Sequence, residues 1–168
     1  MKRYLGAALL VPLILEVPLM ADSPKSAPAT YRVYSLNRRY FAELNFPASR
    51  TTVFEANGGR RLWEIPGWYR VAAVSNDGKH LVIGYDGSNL LELNASPEEV
   101  MLTFYREGTR TGIVRLKDLV PDTSRLERTA SHLRWGEYLG FDEQGRYHVK
   151  TAGGETFIFD PDTARAVR

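Results

Sequence analysis

The sequence predicts an all-β fold, an antiparallel meander of about three four-stranded units with one short helical insertion. Three observations predict it. Aromatic residues are plentiful, with nine Tyr and seven Phe in 168 residues, and such rings fit a pleated, half-buried surface. No long helical periodicity occurs before Leu116. Short β-prone runs instead alternate with turn residues along most of the chain.

Taken in order, the runs are YRVYS, YFAELN, TTVFEA, RLWEI, YRVAAV, HLVIGY, VMLTFY and GIVRL. Between them stand Asn57 to Gly59, Asn76 to Gly78, Asp86-Gly87 and Glu107-Gly108. Asn-Gly and Asp-Gly supply the positive φ angles that tight hairpins require. A weak repeat groups the runs. Val71 to Tyr85, Tyr138 to Thr151 and Arg32 to Leu44 each read as an apolar strand, a polar turn with a basic residue, and a second apolar strand. In these three segments Arg38, Gly78 and Gly145 hold equivalent places. A second hairpin follows each, so the unit has four strands.

The unit resembles a blade of the β-propeller superfamily, in the style of WD40-like, YVTN-like or TolB-like repeats. The residues carrying the resemblance are Ser75-Asn76-Asp77-Gly78-Lys79 and Asp142-Glu143-Gln144-Gly145-Arg146. The closing turns Asn57-Gly58-Gly59-Arg60 and Asp160 to Arg165 support it. Closed propellers have about four to eight blades, so three units imply an open sheet array, blades completed by another chain, or a local likeness.

The insertion covers residues 117–137. Pro121 followed by Asp122, Thr123 and Ser124 has helix-start chemistry, and Leu126, Ala130 and Leu133 fall at i, i+4 and i+7. This predicts a short helix across one face or edge of the sheet, covering an edge strand or walling a pocket.

The chain opens with Lys2 and Arg3, continues as an apolar stretch from Leu5 to Leu15, and then meets Glu16, Pro18 and small residues. That order is a secretory signal. Cleavage fits after Ala21 or after Ala29. The predicted organisation is a signal peptide over 1–21, a flexible linker over 22–30 and a single β-rich domain over 31–168. Cysteine is absent, which excludes disulfides, thiolate metal sites and a lipidated cysteine. The expected location is therefore the periplasm or the secreted fraction, without a lipoprotein anchor.

The net charge is +2 and the basic residues are dispersed, so neither a concentrated basic face nor a nucleic-acid-binding motif is present. No stable membrane insertion is expected after signal cleavage. The histidines, His80, His132 and His148, show no metal-ligand spacing. His80 and His148 read as a recurring surface position at the start of a strand. No metal or other cofactor is implied. Ser131 beside His132 on a helix would point about 100° apart and not form a catalytic pair. Asp86 and Glu137 are the acids that a hydrolytic cleft beside the insertion would use, with His132 as a further acid/base candidate, though no spacing forces them together.

The aromatic and arginine cluster carries the binding reading. Trp68, Tyr69 and Arg70 adjoin one another, and Arg134 and Trp135 flank the end of the insertion. Exposed Trp, Tyr and Arg supply large contact area with a polar handle. Trp68 and Trp135 are core residues or, where exposed, mark a sugar-stacking or protein-docking surface. The reading is a non-enzymatic binding or assembly module whose partner is an envelope protein or a glycan. A periplasmic hydrolase with an acid-lined cleft and a self-assembling structural protein, a homo-oligomer, are the alternatives.

Overall fold

A computed structural model describes residues 26–167. The predicted signal over 1–21 and the first part of the predicted linker lie outside the described residues. Within them the chain forms four antiparallel sheets.

The first sheet takes β1 (Tyr31–Tyr34), β2 (Tyr40–Asn45), β3 (Arg50–Glu55) and β4 (Arg61–Pro66) in sequence order. The second is a meander of β5 (Ala72–Val74), β6 (His80–Gly84), β8 (Val100–Arg106) and β9 (Thr109–Arg115), with a short strand β7 (Leu90–Glu92) outside it. The third contains β12 (Gly136–Phe141), β13 (Tyr147–Thr151), β14 (Thr156–Asp160) and β15 (Arg165–Ala166). These are the three four-stranded units read from the repeat.

Local chemistry explains the turns. In the first sheet the Ser35 hydroxyl accepts from Tyr40 N at 3.1 Å, and Asn37 Oδ1 accepts from Arg39 N at 3.0 Å. The second sheet repeats the pattern, with His80 N to Ser75 Oγ at 3.0 Å and Lys79 N to Asp77 Oδ1 at 3.0 Å. The aligned residues Arg38, Gly78 and Gly145 all adopt positive φ, at 57°, 70° and 79°. Arg38 pays a steric cost there that the two glycines avoid.

One short helix is present as predicted, but not along Leu126 to Leu133. The one α-helix among the described residues is α1 (Leu116–Leu119), followed by a single 3-10 turn at Thr123–Arg125 whose Asp122 caps Ser124 N at 3.0 Å. Leu126, Ala130 and Leu133 share no helix. The segment pairs instead as β10 (Glu127–Arg128) and β11 (His132–Arg134), and β11 joins β7 in the fourth sheet. The physical reason is cross-strand burial. An isolated short helix is marginal in water, whereas pairing sets Leu133 opposite the buried Leu91 and gives the β7 backbone a partner. Leu126 and Leu133 still pack against the core, from irregular chain and from β11 and not from one helix face.

Two cores hold the sheets together. Ala42, Leu44, Val53, Ile65, Leu81 and Ile83 fill the space between the first and second sheets. Val82, Phe104, Tyr147, Val149 and Phe159 fill the space between the second and third, with Leu91 joining from the fourth and Trp135 from the link between β11 and β12. Side chains alternate across a strand, so β6 sends Leu81 and Ile83 to one core and Val82 to the other. That explains why Leu81 to Gly84 is a continuous apolar run: both faces of the middle sheet are covered. Each fully buried aliphatic side chain contributes about 1.5–3 kcal/mol.

Candidate functional site

The meanders distinguish two ends of the molecule. One end carries tight turns, at 35–39, 56–60, 75–79, 107–108, 142–146 and 161–164. The other carries the long connections, at 67–71, 85–99 and 116–135, beside the hairpin turns at 46–49 and 152–155. Trp68, Tyr69, Arg70, Asp86, His132, Arg134 and Trp135 all fall in those connections or the short strands within them, and Glu137 is at the start of β12.

Trp68 is half-buried, and its ring meets Tyr31 and Phe46 edge-on at centroid distances of 6.2 and 5.6 Å. The Arg70 guanidinium covers the ring at 5.3 Å. Trp68 Nε1 donates to the Ala29 carbonyl at 2.9 Å, and Arg70 Nη1 donates to the Ser26 carbonyl at 2.9 Å. The Tyr31 hydroxyl donates to the Tyr69 carbonyl at 2.7 Å. Arg70 Nε lies 3.5 Å from Asp86 Oδ1, beyond good hydrogen-bond geometry, and it is buried without a hydrogen-bond partner. Burial pushes the hydroxyls of Tyr31 and Tyr69 up to about 12; the Arg70 charge opposes this at Tyr31.

Trp135 is fully buried, with Nε1 donating to the Ser88 carbonyl at 2.7 Å and Tyr138 against its ring. Of the two readings the sequence left open, Trp135 takes the core one and cannot present a contact surface. Its neighbour Arg134 is exposed and faces Glu127 at 3.7 Å. Arg134, Glu137, Lys150 and Asn89 line a groove of about 250 Å³. Glu137 and Asn89 also line a larger one, of about 570 Å³, with Val71, Ser88 and Tyr138. Glu137 is the one carboxylate on either lining, and Asp86 is on neither. Two acids held across a cleft, the device of glycoside hydrolysis, are therefore not assembled there.

Ser131 and His132 differ from the helical expectation. At the bend that leads into β11 the Ser131 hydroxyl meets His132 Nδ1 at 2.9 Å. Neither residue lines one of these grooves.

A polar pocket of about 470 Å³ at the tight-turn end was not anticipated. Ser75, Asp77, His80, Glu143, Arg146 and Asp162 line it. His80 is 8% exposed, so it is a buried residue and not the surface position expected. Its Nε2 lies 3.0 Å from Asp162 Oδ1, and its Nδ1 lies 3.7 Å from Asp77 Oδ1. Arg106 Nη1 donates to the same Asp162 oxygen at 2.8 Å, and the Ser75 hydroxyl donates to Asp77 at 2.5 Å. Contact with His80 holds the Asp162 carboxyl below the usual range, with Arg106 adding to it. Burial works against ionisation of Asp77, yet Ser75, Lys79 N and His80 bring it below the usual range. Asp162 thus joins the third unit to the second, while Asp77 closes its own turn in the second sheet. Asp77 was legible as a turn residue; Asp162, 82 residues from His80, carried no sequence signal of this contact.

Among the described residues no group of three or more His, Asp or Glu gathers to hold a metal ion, and no helix is long and apolar enough to cross a membrane. No family model and no curated protein matches the chain. A solved crystal structure of a eukaryotic initiation factor is similar at a TM-score of 0.40 and 13% identity, covering 87% of this chain and 44% of that one. This chain thus spans less than half of that protein's length.

Proposed function

We propose that this protein is an exported, non-enzymatic binding module of the cell envelope, built from propeller-type blades. Its long-connection end engages an envelope protein or a glycan. The observation that carries the reading is the joint placement of Trp68, Tyr69 and Arg70 at that end, in a half-exposed corner. A Trp face, a Tyr and a guanidinium offer dispersion area and directional donors together, the combination enriched at binding hot spots. The neighbouring grooves have one carboxylate, Glu137, which supports binding over acid–base hydrolysis.

Affinity capture from the native envelope, read by mass spectrometry, tests the proposal. A component retained by the wild type and lost by Trp68→Ala is the expected result. An identical retained set for both proteins would remove the site.

A second reading, self-assembly, draws on the outer face of the first sheet. Phe41 stacks on Phe54 there and Tyr34 packs against Phe41 at a tilt, Arg32 covers Phe41 at 4.8 Å, and Tyr34 is 49% exposed. A light-scattering mass equal to one chain would dismiss it.

A further inference from the structure

We infer that the Trp68–Arg70 corner is a recognition groove for an extended, proline-containing peptide, and that residues 26–30 of this chain occupy it in cis. The inference rests on the binding reading above and names the ligand class for the same corner.

The segment Ser26-Ala27-Pro28-Ala29-Thr30 belongs to no strand or helix and is exposed throughout. Its register on the corner is set mainly by main-chain carbonyls: Ser26 O accepts from Arg70, and Ala29 O accepts from Trp68. Arg70 Nη1 also approaches Ser26 Oγ at 3.4 Å. The two carbonyls are three residues apart, and the polyproline II helix has three residues per turn, so carbonyls i and i+3 point the same way. Pro28 fixes its own φ and biases Ala27 toward the same extended region. An indole N–H aimed at a carbonyl, beside aromatic rings that wall the site, is the chemistry by which proline-rich segments are read. Here Trp68 supplies the donor, and Tyr31 and Phe46 pack edge-on against its ring and hold it in place.

No apolar side chain of the strap is needed for these hydrogen bonds, so another extended Ala/Pro segment can satisfy the same donors. The strap's contacts are few and solvent-exposed, which places it at the low-stability end of local opening. A tethered occupant nonetheless competes at an effective concentration on the order of millimolar, so it acts as a built-in competitor.

The test uses the exported chain and a fluorescein-labelled synthetic peptide spanning the sequence from Asp22 to Tyr31, read by anisotropy. Intact mass first establishes that residues 22–29 are retained. A chain beginning at Thr30 has no strap and overturns the cis assignment. Pro28→Gly loosens the strap without touching the corner, and it should bind the peptide about tenfold more tightly than the wild type. Adding Trp68→Phe, which keeps the ring and removes the N–H donor, should abolish that gain at unchanged melting temperature. Equal binding by Pro28→Gly and the double variant overturns the inference, as does absence of peptide binding by Pro28→Gly. Oligosaccharide binding that depends on Trp68, without peptide binding, defeats the peptide assignment and leaves the surface reading standing. Loss of both, with no envelope component captured through Trp68, defeats the two together.

Discussion

His80 Nε2 in the second sheet lies 3.0 Å from Asp162 Oδ1 in the third, joining two units across 82 residues of sequence. Because His80 is buried, removing its partner leaves a desolvated ring nitrogen without a hydrogen bond. Asp162→Ala should therefore cost about 1–2 kcal/mol, with Arg106→Gln costing less because its side chain is half exposed. Urea unfolding at neutral pH measures both.

The acid limb follows from the same contacts. Asp77, Asp142 and Asp162 have carboxyls held below their ordinary range in the folded state. A lowered folded pKa gives stability that is present above the unfolded value, about 3.9, and is lost as pH falls through the folded one. Stability should decline below about pH 4, and Asp162→Asn should flatten that decline. A pH-series of melting curves reads the slope.

The alkaline limb has the opposite sign. Tyr31 and Tyr69 are raised to about 12, and Tyr138 and Tyr147 are raised further by burial. A neutral phenol favoured by folding stabilises fully below its unfolded value of about 10, and that contribution is lost as pH rises through the folded one. Absorbance at tyrosinate wavelengths should show these four titrating late, together with loss of near-ultraviolet dichroism.

The two tryptophans separate surface from core. Trp135→Ala should cost about 3–5 kcal/mol, since a fully buried ring and its bond to the Ser88 carbonyl both disappear. Trp68→Ala, at a half-exposed corner, should cost about 1 kcal/mol. Thermal melts of the pair give the comparison directly.

Equivalent turns should also differ in tolerance. Gly78→Ala places a Cβ 2.4 Å from Tyr40 Cδ1, whereas Gly145→Ala meets nothing within 4 Å. Both incur the left-handed backbone cost of about 1–2 kcal/mol, and only Gly78→Ala adds a clash. The melting temperature should fall further for Gly78→Ala.

The three four-stranded units were legible because hairpins are local. Ser75, Asp77 and His80 close one turn within five residues of each other, so residue types at short spacing specify it. The same holds for the positive φ at Gly78 and Gly145, and even for Arg38 once it is aligned with them. The alternation of β6 was legible only as an apolar run, because its burial on two faces depends on sheets supplied from both sides.

The class, the units and the turn chemistry thus follow from residue types at short spacing. Contacts between residues far apart along the chain follow from packing. Leu126, Ala130 and Leu133 matched a helical stripe, yet the unpaired backbone of β7 and the buried Leu91 drew the segment into strands. The aromatic corner was visible as residue types, but not that its donors would hold the chain's own Ser26 and Ala29, 44 and 39 residues away. Nor did any spacing place Asp162 beside His80. Short-range propensity is set by neighbours within a turn, whereas these contacts depend on how three sheets pack, and that packing is selected by the burial of both cores at once.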